Sequence, residues 1–280
     1  MIRRLPTLVA MGLLIGLSAP AVQAVDWQYM SAQQLAGWAS QAELPWKDLG
    51  DTPNQSMLRH LLIAGQAGPW RSPTPSEAAF YRLHSKIVAA GVVDRSPSDC
   101  GDKGDFARAR RVLIWLHEDG TLDQFDVLAS GLQRTLLEGR FNCLSSSLLL
   151  QLLCREFGIE TRLAQLGDHV AVAVNCGDRW QVLESTHTRG VTSVGEPSLP
   201  SAFPQSLRLL NDQQTLALVF YNQGAHALAA KRDIDALSFS QAAIELDPEN
   251  KAAEINRNVA LLRVFVPLVE QINRETTSVN

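Results

Sequence analysis

The stretch from Gly139 to Gly190 constrains the fold of this chain more than any other. Asn142 is a favourable N-cap residue, and Leu144 to Phe157 is apolar almost all round, which predicts a helix buried inside a domain. Gly158 follows, where glycine often ends a helix. Cys143 would lie in the first turn, where the positive end of the helix dipole favours the nucleophilic thiolate. The alternative is a structural cysteine, because free cysteine is among the most buried residue types.

A β-hairpin is predicted after this helix, with strands at His169–Asn175 and Arg179–Glu184. The first strand alternates between valine on one face and histidine or alanine on the other, and turn-forming residues separate the strands. A two-residue loop at 176–177 would place His169 directly opposite Glu184, with their Cβ atoms within about 5.5 Å. A three-residue loop would shift the register and break this pairing. The two-residue loop therefore predicts a base and an orienting acid for a cysteine nucleophile.

Three short motifs carry the candidate residues in chain order. They read Asn142-Cys143-Leu-Ser, Gly167-Asp168-His169-Val170 and Trp180-Gln-Val-Leu-Glu184-Ser-Thr186. Their order and spacing resemble the transglutaminase-like superfamily of papain-like cysteine enzymes, over about fifty residues. The third member of that catalytic set is usually aspartate, so glutamate is a departure from the family pattern.

The resemblance implies an α+β fold with a papain-like core, in which a buried nucleophile helix packs against a small antiparallel sheet. It implies that Cys143 is the nucleophile, His169 the base and Glu184 the orienting acid. The expected activity is that of a cysteine hydrolase or acyltransferase on peptide or glutamine-type amides, through a thioester. His187, beyond the strand end, is an alternative base. A catalytically inactive fold that binds proteins is the alternative function.

The first 24 residues are typical of a secretory signal. Arg3 and Arg4 form a charged end, 8–17 is apolar, and 22–24 resembles a cleavage site after Ala24. The apolar run is shorter than the about 20 residues that a membrane span needs. We therefore expect a periplasmic or secreted protein without a membrane span after signal cleavage. A membrane anchor or twin-arginine export is the alternative.

The composition excludes several classes of function. Hydrophobic residues make up 46% and charged residues 19% of the chain, which are ordinary globular values. A net charge of −4 and the lack of a basic patch give no sign of nucleic-acid binding. The sequence contains no phosphate-binding glycine loop and no closely spaced pair of cysteine ligands. We therefore expect neither a cofactor nor a metal ion.

Four cysteines in an exported chain would form two disulfides by default. Cys143 and Cys154 are roughly 16 Å apart along a helix and cannot bridge each other. A nucleophilic Cys143 must be unpaired, which leaves one bridge at most. Cys154 with Cys176 and Cys100 with Cys176 are the two candidates.

The remaining chain divides into a domain at 25–206 and a helical segment at 211–270. The domain begins with a helical part that fits the papain-like layout, and 191–206 is predicted to be a connecting loop. The predicted helices of this part are Ser31–Ala42, Asn54–Ala64, Pro75–Ala90, Phe106–Leu116 and Asp126–Leu137.

The C-terminal segment resembles a tetratricopeptide (TPR) repeat. Helices are predicted at Asn211–Ala230, Ile234–Leu246 and Ala252–Val264. A single repeat is too short to form a stable array, so we expect these helices to pack on the preceding domain. A docking surface for a protein partner is the alternative role.

Overall fold

The computed structural model describes residues 53–65, 74–94, 104–177, 179–190 and 207–277. The expected signal sequence, the helix at 31–42 and the loop at 191–206 lie outside these residues. The helices are α1 Pro53–Ala64, α2 Thr74–Ala89, α3 Gly104–Glu118, α4 Leu132–Glu138, α5 Cys143–Glu156, α6 Asp212–Ala229, α7 Asp233–Leu246 and α8 Lys251–Thr277. The strands are β1 Gln124–Phe125, β2 Arg140–Phe141, β3 Thr161–Leu166, β4 His169–Asn175, β5 Trp180–Leu183 and β6 Leu207–Leu210.

Helix α5 lies at the centre of the domain, as the sequence predicts. Every residue from Leu144 to Cys154 is buried, and α5 packs against α1, α3, α4, β3 and β4. The side chain of Asn142 accepts hydrogen bonds from the first turn, and its backbone N–H donates one to the Ser145 hydroxyl, so a complete capping box begins the helix. Gly158 has φ of +69°, a conformation that favours glycine after a helix.

A four-stranded antiparallel sheet packs beside α5. The strand order is β5-β4-β3-β6, and a separate parallel pair joins β1 to β2. Strand β4 is central, and all five of its interior residues are buried because it has a strand on each side and both α3 and α5 against it. Helices with a small antiparallel sheet confirm the α+β class.

The predicted hairpin register is wrong by two residues. Asn175 pairs with Trp180, so the loop spans 176–179 instead of 176–177. The N–H of Cys176 donates to the carbonyl of Arg179 at 2.8 Å, which closes the longer turn. Continued beyond the ladder, this register places Ala171 and not His169 opposite Glu184. A shift of two residues keeps every side chain on its predicted face, because side chains alternate with a period of two.

The helix predicted at 126–137 is also wrong in its first half, since α4 begins only at Leu132. The carboxylate of Asp126 accepts the N–H of Leu128 at 3.0 Å, and the N–H of Asp126 donates to the carbonyl of Phe141 at 2.8 Å. These bonds hold residues 126–128 in a turn beside β2. Aspartate competes with helix formation in this way because its short side chain reaches nearby backbone groups.

Four strands, β1, β2, β3 and β6, were not predicted from the sequence. Strand β3 interrupts its apolar residues with Arg162 and Gln165, and only part of the strand is buried. Strand β6 has four residues and lies immediately before α6. Short strands with weak alternation acquire their structure from their neighbours, and here β3 forms the bridge between β4 and β6.

The C-terminal helices occupy the predicted positions, except that α8 continues to Thr277 instead of ending near Val264. They pack on the domain. Arg155 of α5 pairs with Asp212 at 2.8 Å, and the Nε2 of Gln223 donates to the carbonyl of Gly65 at 3.2 Å. Within the described ranges, no helix has both the length and the apolar character needed to cross a membrane.

Candidate active site

Cys143 is the first residue of α5, and its thiol is free and partly exposed. The side chain of Asn142 accepts the N–H groups of Leu144 and Ser145, each at 3.0 Å. The N–H of Cys143 has no acceptor among the described residues. The structure therefore combines an accessible sulfur with an unused backbone donor at a helix N-terminus.

His169, the first residue of β4, contacts both other candidate residues. It shares a side-chain hydrogen bond with Cys143, and its Nε2 lies 2.5 Å from Oε2 of Glu184. The bond to Cys143 and the bond to Glu184 outweigh partial burial and raise the pKa of His169 to about 10. Because Nε2 faces the carboxylate, Nδ1 is the ring nitrogen left for the thiol.

Glu184 is fixed on both of its carboxylate oxygens. Oε2 faces His169, while Oε1 accepts the N–H of Thr186 at 3.0 Å and its hydroxyl at 2.7 Å. Burial alone would raise the pKa of Glu184, but the hydrogen bonds from His169 and Thr186 outweigh it and leave that pKa below its usual value. The side chain of Glu184 is 11% exposed and that of His169 40%. A buried carboxylate therefore holds an accessible imidazole.

The observed hairpin register explains how a glutamate at position 184 can reach the imidazole of His169. His169 and Glu184 are diagonal neighbours across β4 and β5, a longer separation than that of a direct pair. Glutamate is one methylene longer than aspartate, and its carboxylate still comes within 2.5 Å of the imidazole. The predicted contact between His169 and Glu184 is therefore present although the predicted register is wrong, because the glutamate side chain is long enough to reach the imidazole.

Buried serines connect α5 to the residue after Glu184. The hydroxyl of Ser185 lies 2.8 Å from those of both Ser146 and Ser147. Ser146 also donates to the carbonyl of Asn142 at 2.7 Å, and all three serines are fully buried. This network fixes the start of α5 relative to the end of β5, and hence Cys143 relative to Glu184.

Sequence reasoning missed the residues that position this site. Ser146 and Ser147 carried a weak signal, because consecutive serines are unusual inside an apolar helix. Nε2 of His117 lies 3.1 Å from the carbonyl of Ser185, a contact that no sequence spacing predicted. The rival base His187 is exposed in the turn after β5, whereas His169 contacts Cys143.

The other cysteines differ from Cys143 in their environment. Cys154 is a free, fully buried thiol, and burial raises its pKa to about 12. The candidate bridge between Cys154 and Cys176 is therefore absent, while Cys100 lies outside the described residues. No cluster of histidine, cysteine or acidic side chains in the described part of the chain could hold a metal ion.

Comparisons with family models, curated proteins and solved structures give no match to this chain.

Proposed function

We propose that this protein is a transglutaminase-like cysteine hydrolase or acyltransferase that acts on peptide or glutamine-type amides. The observation that carries the proposal is the continuous contact from Cys143 through His169 to Glu184. A nucleophile, a base and an orienting group in this order are the components of thiol-dependent acyl transfer. The α+β fold around a buried nucleophile helix supports a papain-like core.

The reaction would begin with the thiolate–imidazolium pair of Cys143 and His169. The sulfur attacks the amide carbon, a C–S bond forms, and the carbonyl electrons move to the oxygen. The unused N–H of Cys143 is placed to stabilise that oxyanion. When the C–N bond breaks, His169 gives its proton to the leaving amine, and a thioester remains.

The second half of the reaction decides between hydrolysis and acyl transfer. Neutral His169 takes a proton from water or from an amine as that nucleophile adds to the thioester. Breaking the C–S bond returns the thiolate and releases a carboxylic acid or a new amide. Glu184 orients the ring and stabilises its charged form throughout.

The exposure of the site supports peptide or protein substrates. Cys143 is partly exposed, and 40% of the His169 side chain is accessible. An amide on another chain can therefore reach the sulfur without opening a buried cavity. The proposed setting is the periplasm or the extracellular space, on the strength of the signal-like N-terminus.

The C-terminal helices are proposed to form a TPR-like segment that closes the domain. Their contacts to α5 and to the end of α1 support this role. Recruitment of a protein partner is the alternative. It is supported by three apolar residues of α8 at seven-residue spacing, Ile255, Leu262 and Val269, which are all more than half exposed.

The test is the reactivity of Cys143 in the folded protein. Iodoacetamide labelling at pH 7, followed by peptide mapping, should modify Cys143 at least ten times faster than buried Cys154, because thiolate character and exposure control alkylation. His169→Ala should slow labelling of Cys143, and Cys143→Ala should abolish hydrolysis of a peptide library. An unreactive Cys143 in the native protein would refute the catalytic proposal and favour the protein-binding module.

A further inference from the structure

An exposed apolar surface lies beside the candidate nucleophile. Phe125, Val127 and Leu128 are 59%, 68% and 61% exposed, and we call residues 125–128 the apolar loop. Single exposed apolar residues are common on protein surfaces, but three within four consecutive residues indicate a site of interaction.

The apolar loop is held in place by the polar residue within it. The carboxylate of Asp126 pairs with Arg134 at 3.0 Å and with Arg140 at 2.9 Å, in addition to accepting the N–H of Leu128. The carbonyl of Asp126 accepts the N–H of Ala129 at 2.8 Å. These contacts fix the backbone, so the apolar side chains are presented to solvent by an ordered turn. They also neutralise the one acidic group of the loop.

The apolar loop is bonded directly to the residue before Cys143. Asn142 donates from Nδ2 to the carbonyl of Val127 at 3.1 Å. Strands β1 and β2 run parallel with Phe125 beside Phe141, and the N–H of Asp126 donates to the carbonyl of Phe141 at 2.8 Å, so the apolar loop begins beside the residues that lead into Cys143. The Asn142 side chain therefore caps the nucleophile helix and positions the apolar loop at the same time.

We propose that the apolar loop binds an apolar side chain of the substrate next to the amide that Cys143 attacks. This inference rests on the proposed function and adds a substrate class, namely peptides with an aliphatic or aromatic residue beside the reacting amide. We assign substrate binding to the apolar loop because it is hydrogen-bonded to Asn142, the residue before Cys143. A neutral, apolar surface rejects charged side chains because they would lose hydration without gaining a partner.

The experiment compares two peptide vinyl sulfones that differ only in the residue next to the electrophile, leucine in one and glutamine in the other. The wild-type protein should react with the leucine probe about tenfold faster, within the range that apolar contacts provide. Val127→Ser and Leu128→Gln should each reduce that preference severalfold. Val88→Ser, which changes an exposed valine of α2, should leave it intact.

Iodoacetamide serves as the internal control, because it needs no binding surface. Its rate with Cys143 should be the same in all variants, within about twofold of wild type. Equal rates with both probes, or an unchanged preference in both loop variants, would overturn the inference while leaving the reactive thiol established. No iodoacetamide reaction with wild-type Cys143 would refute the proposed function and the inference together. If Val127→Ser changed the oligomeric state, measured as the molecular mass of the protein in solution, but left the preference for the leucine probe unchanged, the inference would be overturned. The loop would then be assigned to contacts between copies of the chain.

Discussion

The two carboxylate oxygens of Glu184 contact different residues, and the contact to His169 helps to raise the pKa of its imidazole. Oε1 is occupied by Thr186, so the carboxylate cannot rotate freely, and Oε2 is directed at the imidazole. The pKa of His169 is raised to about 10, compared with about 6.5 for an ordinary histidine. The ring is therefore charged at neutral pH.

The first prediction concerns that charge. An NMR titration of the His169 ring should show it protonated well above pH 8, with a midpoint near pH 10. Cys143→Ala and Glu184→Gln should each lower the midpoint towards 6.5, since each removes a hydrogen bond that raises the pKa. A wild-type midpoint near 6.5 would contradict the coupling of the three residues.

The direction of the pKa shift of His169 also determines how its charge affects the stability of the folded state as the pH changes. Because the pKa is raised on folding, the charged ring stabilises the folded state fully below about pH 6.5, and this contribution is lost as the pH rises through about 10. The stability difference between wild type and His169→Gln should therefore shrink between these pH values. The partial exposure of His169 will make this effect modest.

At the scale of elements, the helices and strands that depend on residues close together in the sequence were predicted well. Helix α5 was predicted because its N-cap, its apolar run and its terminal glycine are all local signals. Strand β4 was predicted with its observed bounds because polar residues flank an apolar run. Cys143 begins α5 and His169 begins β4, as predicted, whereas Glu184 was predicted to end β5 and instead follows it by one residue.

Features that more than one local pattern fits, or that depend on tertiary contacts, were not predictable in this way. The residues at 175–178 suit loops of different length, and their sequence does not show that the N–H of Cys176 donates to the carbonyl of Arg179 across the longer turn. The turn at Asp126 requires Arg134 and Arg140 from later elements. The serine network joins positions 39 residues apart, which no local pattern reveals.

The next prediction compares two helix caps. Asn142 and Asn211 both form a capping box, at the start of α5 and of α6 respectively. Substitution by alanine should lower the free energy of unfolding by about 1 kcal/mol in each case, as loss of an N-cap typically does. Asn142→Ala should cost somewhat more, because the bond from Asn142 to the Val127 carbonyl is also lost.

The two caps should differ in their effect on the thiol. Asn142→Ala should slow iodoacetamide labelling of Cys143 severalfold, because the first turn of α5 would fray and its dipole would no longer be held at the sulfur. Asn211→Ala should leave the labelling rate at the wild-type value. If both variants slow labelling equally, a general loss of stability explains the effect and the cap has no specific role at the thiol.

At the scale of the whole molecule, the C-terminal helices are attached to the edge of the sheet. Arg208 of β6 makes a bidentate pair with Asp247, at 2.6 and 2.8 Å, where α7 ends. Hydrogen bonding to Asp247 raises the pKa of Arg208 above its usual value, and Asp247 is only 4% exposed. A paired guanidinium thus links the sheet that carries His169 to the helical segment.

Arg208→Ala should lower the free energy of unfolding by about 2 kcal/mol, because it leaves the nearly buried carboxylate of Asp247 without its cation. The matched control is Arg232→Ala, which breaks the exposed pair with Asp235 at 2.9 Å and should cost less than about 0.5 kcal/mol. Urea denaturation of the full chain measures both. In a double-mutant cycle, Arg208→Ala and Asp247→Asn should be strongly non-additive, since each removes the same contact. Additive effects would mean that this pair does not attach the helical segment, and the contacts at Asp212 and Gln223 would then be responsible for it.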